Sequence, residues 1–263
     1  MSNRSPDAIV EPPTTPIRQA VILAGGLGTR LRPIIGDLPK GLAPVGGRPF
    51  LEYQLAMLRS QGFQRIVLCT GYRHDLIQAH FGNGDAWGVH ITYSVEREPL
   101  GTAGALRQAR PGLDGSFLTM NGDTYFGVDL SQLVLAHGRG GTRHGHEVAA
   151  RDLVATLALL RMPDTSRYGV VTVDADGYVV RFAEKSGGGP GLISAGLYVF
   201  SMSVFDHFPP RTPLSLETDV FPLLASRRLL GGLAVQGYHL DIGIPGSYQR
   251  FQEDVATGLP PYV

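Results

Sequence analysis

The feature that most constrains this chain is an apolar run, QAVILA, that stops abruptly at Gly25, together with the recurrence of similar runs in RIVLCTG, HITYSVE and SFLTMNGD. Segments of helical character separate these runs, and strand, connection, helix, strand is the pattern of an α/β fold. The first such helix opens at Pro49, repeats Leu51, Leu55 and Leu58 at helical spacing, and closes at Gly62. Near-continuous apolar strands such as IVLC predict a sheet covered on both faces.

Beyond about residue 150 the pattern becomes mixed. VATLALLRMP and VVTV are followed by an Asp176-Gly177 step before YVVRF, which predicts a hairpin. ISAGLYVFSM adds a strand, SLETDVFPLLASRRL predicts a helix capped by Ser215, and GLAVQGYHLDIG predicts one late strand before a last helix from about Ser247. Gly138 to His146 reads as an exposed loop. The polar, Pro-containing residues 1–17 read as a flexible leader, leaving 18–263 as one domain of two lobes.

Composition narrows the partners. The formal charge is zero, so bulk charge implies no strongly basic face for a nucleic-acid backbone, and no nucleic-acid partner is expected. Cys69 is the single cysteine, so no disulfide framework exists, and its apolar setting predicts a core thiol. Leu153 to Leu160, the longest apolar stretch apart from Thr156, is far short of the roughly 20 residues that cross a bilayer. A soluble, cytoplasmic protein with no membrane partner is expected, its homo-oligomerisation left open. His144 and His146 lack a third ligand at a defined spacing and predict no zinc site.

The strongest chemical signal is LAGGLGTRLRP, Leu23 to Pro33. Glycines leave backbone amides free to cradle phosphate oxygens, and arginine adds a fixed fork of donors. A dinucleotide fingerprint would need glycine at position 31, where Leu31 stands, and a P-loop would need a lysine after the last glycine. Both fail. Lys40 then follows within LPKGLAPVGGRPFLEY, and EREPLGTAGAL, NGDTYF, RYGVV, AEK, SAGLYVF and DIGIPGSY come later in order.

This ordered set, covering roughly Gln19 to Glu253, closely resembles the sugar-1-phosphate nucleotidylyltransferases, and within them the D-glycero-D-manno-heptose 1-phosphate guanylyltransferases. Gly41 and Leu42 depart from the proline and methionine usual in that subgroup. The resemblance implies a Rossmann-like mixed-sheet nucleotidyltransferase fold with a small mixed sugar-binding lobe. It implies that Leu23, Ala24, Gly25, Gly26, Gly28 and Thr29 bind the nucleotide, with Glu96, Gly101 and Thr102 near its base and ribose. Arg30 and Lys40 match positions that hold the triphosphate and its developing charge. Asp123 and Asp241 match metal-binding aspartates, and carboxylates together with substrate phosphates are how Mg²⁺ is commonly held. Asn121, Gly169, Glu184 and Lys185 match the sugar-phosphate site, with Lys185 pairing to the phosphate.

The implied reaction joins a nucleoside triphosphate to a sugar 1-phosphate and releases pyrophosphate. A carboxylate such as Glu96 offers only acceptors, which suits the paired donors of guanine's Watson–Crick edge and favours GTP, while the subgroup resemblance implies a manno-heptose 1-phosphate as acceptor. The rivals are mannose or glucose 1-phosphate with GTP, dTTP, CTP or UTP, and a catalytically silent nucleotide-sugar sensor or regulatory subunit.

Overall fold

The computed structural model describes residues 17–138, 142–143, 146–147, 153–166, 169–183 and 188–261. The four predicted early strands, Gln19–Ala24, Arg65–Thr70, His90–Val95 and Phe117–Asn121, run parallel. They stand in the spatial order 117–121, 19–24, 65–70, 90–95 inside a 9-stranded sheet. The strand order reverses between Gln19–Ala24 and Phe117–Asn121, so a crevice opens at the carboxyl ends of those two strands.

Alternation along each buried strand divides the core between the two faces of the sheet. Ala20, Ile22, Ile66, Leu68, Leu118 and Met120 face helices Phe50–Ser60 and His74–Phe81. Val21, Val67, Cys69 and Phe117 face helices Thr102–Ala109 and Phe221–Ser226. This two-sided burial is what the uninterrupted apolar runs required. Cys69 is a buried core thiol, and burial pushes its pKa upward, away from nucleophilic use.

The long strand Gly191–Phe200 joins the two halves of the chain. It pairs antiparallel with Phe117–Asn121 at one end, with Val170–Val173 at the other, and with Ala155–Met162 along its other edge. The expected hairpin is present, with Val170–Val173 antiparallel to Val179–Ala183. Ser215 caps its segment as expected, its hydroxyl accepting from the Thr218 amide at 3.3 Å. That segment opens with a π-helical turn, Leu216–Val220, before Phe221–Ser226.

Three expectations need correction. GLAVQGYHLDIG forms two strands in different sheets: Leu230–Ala234 pairs with Ala155–Met162, while Tyr238–Asp241 pairs with Thr124–Gly127. The chain turns between them at Gly237, whose φ of +146° and close approach to Gly127 exclude a side chain. The Gly138 to His146 stretch is not wholly loop, because Gly138 ends a helix from Leu130 and Thr142–Arg143 pairs with His146–Glu147. Third, the last helix begins at Pro245 rather than Ser247 and runs to Ala256, with proline in its first turn where no amide partner is needed.

Candidate active site

Three parts of the site begin where parallel strands end. The glycine loop follows Gln19–Ala24, Glu96 follows His90–Val95, and Gly122-Asp123 follows Phe117–Asn121. Leu31 is fully buried and anchors the far end of the glycine loop, donating its amide to the Gly28 carbonyl at 2.9 Å. No hydrogen bond among the described residues uses the amides of Leu27, Gly28 or Thr29, which leaves them available to an anion. Gly28 has a φ of +62° and packs against the stem of Lys40, where a Cβ would come within 2.9 Å of Cγ. This glycine therefore sets both the loop's turn and the lysine's path.

At the phosphate end, Lys40 donates to Oδ2 of Asp123 at 2.7 Å. Asp241, far away in sequence, reaches the same place because its strand runs antiparallel to Thr124–Gly127, with Asp241 opposite Thr124. The Ile242 amide then donates to the Asp123 carbonyl at 2.8 Å, and the Gly243 amide donates to Oδ1 of Asp241 at 2.5 Å. Burial and the neighbouring Asp123 charge push the Asp241 carboxyl above its ordinary pKa, while Gly243, Lys40 and Arg30 pull the other way. Arg30 itself is exposed, its guanidinium lying beside Gly243. Two crowded carboxylates, one of them half-buried and charge-frustrated, fit a hard divalent cation that takes its remaining ligands from phosphate and water.

At the other end, Glu96 lies against Gly25, where any Cβ would collide with its carboxylate. Its Oε2 accepts the Leu100 amide at 3.0 Å, which folds the Leu100-Gly101-Thr102 loop around it. Burial raises the Glu96 pKa, opposed by the Leu100 hydrogen bond. Thr102 Oγ1 accepts the Leu216 amide at 2.8 Å, and the Leu214 carbonyl takes the Ala103 and Gly104 amides at 2.9 and 3.1 Å. Protein groups thus already use the first amides of helix Thr102–Ala109.

Asn121 stands beside Leu23 in the sheet register and lies against Gly196, which has a φ of +79°. Gly169 is exposed just before Val170–Val173, and no hydrogen bond among the described residues joins it to Asp123 or Asp241. Glu184 and Lys185 lie outside the described residues. Gly41 is buried, and a side chain there would run into Leu51.

One residue escaped the motif reading. Gln54 is fully buried in helix Phe50–Ser60, and its Nε2 donates to the carbonyls of Asn121 at 2.8 Å and Thr124 at 2.7 Å. Its signal was a polar residue on the face marked by Leu51, Leu55 and Leu58.

Residues 19–258 match the Nucleotidyl transferase family, and the chain belongs to it. Among curated relatives, it is 36% identical over 236 residues to D-glycero-alpha-D-manno-heptose 1-phosphate guanylyltransferase of Campylobacter jejuni, spanning 89% of this chain and 98% of that one. It is also 35% identical to mannose-1-phosphate guanylyltransferase of Mycobacterium tuberculosis, over 92% of this chain and 66% of that one. Among solved structures, HddC from Yersinia pseudotuberculosis complexed with GMP-PN superposes with a TM-score of 0.74 at 31% identity, covering 91% of this chain and all of that one.

Proposed function

We propose that this enzyme transfers a guanylyl group from GTP to a sugar 1-phosphate, with a manno-configured heptose 1-phosphate as the favoured acceptor, releasing pyrophosphate. The observation that carries the reading is the convergence of Lys40, Asp123, Asp241 and Arg30 beside an open glycine loop at the sheet's reversal point. The similarity to a heptose 1-phosphate guanylyltransferase over nearly the whole of both chains supports the substrate pair. The acceptor-only carboxylate of Glu96 against Gly25 supports guanine.

The attacking group is an oxygen of the sugar phosphate, whose second pKa of about 6 leaves it largely dianionic at neutral pH. No protein base is required. The chain's task is to neutralise two polyanions and hold them in line. Arg30 and Lys40 are set to meet charge growing on the transferred phosphoryl group and the departing pyrophosphate, and such fixed cations favour the transition state over the ground state. Asp123 and Asp241 would hold Mg²⁺, which when bound neutralises phosphate oxygens and orients them. Lys185 is assigned to the sugar phosphate, Glu184 to the sugar hydroxyls, and Asn121 and Gly169 to the same subsite. No helix among the described residues is long and apolar enough to cross a membrane, in keeping with the cytoplasmic location proposed for an enzyme of soluble substrates.

Pyrophosphate release over a matrix of GTP, ATP, CTP, UTP and dTTP against heptose, mannose and glucose 1-phosphates tests the reading. GTP with the heptose phosphate should give the highest kcat/KM. Faster turnover of mannose 1-phosphate would move the enzyme to the second reading, which its similarity to a mannose-1-phosphate guanylyltransferase favours. Pyrophosphate release from none of these pairs would support a silent sensor instead.

A further inference from the structure

We propose that Gln54 is a positioning residue for the metal-binding aspartate, acting from beneath the loop that carries it; the inference rests on the functional reading above. Asp123 sits in a short turn between strands Phe117–Asn121 and Thr124–Gly127. A turn at a strand end has few ladder bonds of its own, and each of its carbonyls needs a donor. Gln54 supplies one nitrogen to both sides of the turn, donating to the Asn121 carbonyl before it and the Thr124 carbonyl after it. Gln61, at the C-cap of the same helix and on the same face, repeats the device further along. Its Nε2 donates to the Val128 carbonyl at 3.0 Å and its Oε1 accepts the Leu130 amide at 2.8 Å. Helix Phe50–Ser60 thus carries a pair of carboxamides that fasten the segment from Asn121 to Leu130.

The two fastenings differ in one respect. Gln61 uses both ends of its amide, whereas the Oε1 of Gln54 is buried without a hydrogen-bond partner among the described residues. An orphaned buried acceptor is costly, so a side chain chosen for packing alone would be apolar at this position, like Leu51 and Leu55 around it. Gln54 is held in this orientation by the two carbonyls it serves. From there the chain of contacts is short. The turn presents Asp123 to Lys40 through its carboxylate and receives the Ile242 amide on its carbonyl, which sets Asp241 beside it. Loosening the turn would therefore misplace both carboxylates together, with little effect on the base end of the crevice.

The test compares wild type with Gln54→Met, which keeps length and volume but removes both donations. Two readouts are taken: the Mg²⁺ concentration giving half-maximal pyrophosphate release, and hydrogen exchange at the amides of Gly122 and Ile242 in substrate-free protein. The expected result is at least a fivefold rise in the Mg²⁺ requirement, a larger fall in kcat than change in KM for GTP, and about tenfold faster exchange at those two amides. Amides of His90–Val95, at the far edge of the sheet, should be unchanged. Should Gln54→Met fail to fold, Gln54→Leu, which also removes both donations and matches Leu51 and Leu55 around it, is read in the same way and should show the same shifts. A folded variant with unaltered Mg²⁺ requirement and unaltered exchange at Gly122 and Ile242 overturns the proposal. A wild type that releases no pyrophosphate with any pair overturns the functional reading instead, and the exchange comparison, which needs no substrate, still decides the role of Gln54.

Discussion

The two ends of the crevice are built on opposite electrostatic plans. At the phosphate end, opposite charges are already in contact, with Lys40 on Asp123, and two like charges, Asp123 and Asp241, are held close enough to disturb each other. At the base end, Glu96 has no cationic partner among the described residues, and a single backbone amide holds it against Gly25. The first arrangement is charge-dense and gains from any added cation; the second is a hydrogen-bonding surface whose selectivity depends on donors and acceptors. Catalytic rate should therefore reside at one end and nucleotide choice at the other.

The sharpest way to break this division is to neutralise one aspartate. Asp123→Asn and Asp241→Asn should each lower kcat by roughly a thousandfold, in line with the several kcal/mol a bound cation contributes to charge stabilisation. Circular dichroism should remain native, and the GTP-over-UTP preference of any residual activity should be unchanged. Full turnover in excess EDTA by protein confirmed free of metal would remove the cation from the mechanism.

Lys40→Ala and Arg30→Ala come next, each costing about 2 to 4 kcal/mol in kcat/KM, carried by kcat. Lys40→Ala should show the larger loss, because it also frees the Asp123 carboxylate it holds at 2.7 Å. A rise confined to the KM for GTP would make both residues ground-state anchors.

Glu96→Gln sharpens the other side of the comparison. The Leu100 amide needs an acceptor, so the glutamine oxygen should stay on it and turn the amide nitrogen toward Gly25. A donor would then face the donors of guanine, and discrimination between GTP and UTP should drop about tenfold or more, roughly 1 to 3 kcal/mol. Turnover with the best remaining nucleotide should stay near wild type. If the ranking does not move, base reading belongs to backbone groups of Leu23 to Gly25 instead.

Most of the parallel half was legible because three of its four strands, Gln19–Ala24, Arg65–Thr70 and Phe117–Asn121, are mostly buried and are each followed by glycine, so local pattern and tertiary role coincide. The convergence of Asp123 and Asp241 was not legible from the residues alone. It depends on the register of Tyr238–Asp241 against Thr124–Gly127, a pairing between distant segments that no local pattern encodes. Likewise GLAVQGYHLDIG reads as one strand because a single glycine between Val235 and Tyr238 is a weak break, and the steric demand at Gly237, made by Gly127 across the sheet, divides it. Gln54 was visible only as an anomaly, a polar side chain on an apolar helix face whose meaning lies in the carbonyls above it.

The smallest expected effect is on stability, and it has the opposite sign to the effect on activity. The Asp241 carboxyl is raised by burial first and by the Asp123 charge second, so the folded state favours its protonated form more than the unfolded chain does. Folded protein then binds more protons than unfolded protein between the ordinary carboxylate pKa and the raised one, and stability falls as pH rises through that window. Above it the penalty is fully present. Asparagine mimics the protonated side chain in shape, so Asp241→Asn in metal-free protein should raise Tm at pH 7 to 8 by roughly 2 to 4 °C, the shift that about 1 kcal/mol gives a domain of this size. The gain should vanish at pH 3, where wild-type Asp241 is itself protonated. Added Mg²⁺ should stabilise wild type and have little effect on the variant, since a cation and a neutral side chain relieve the same repulsion. Glu96→Gln offers the matched control: burial raises that carboxyl too, but no second carboxylate among the described residues adds to the shift, so Mg²⁺ should stabilise Glu96→Gln as much as it does wild type. Equal Mg²⁺ stabilisation of wild type and Asp241→Asn would mean that the cation is held without Asp241, and the phosphate end would have to be rebuilt around Asp123 alone.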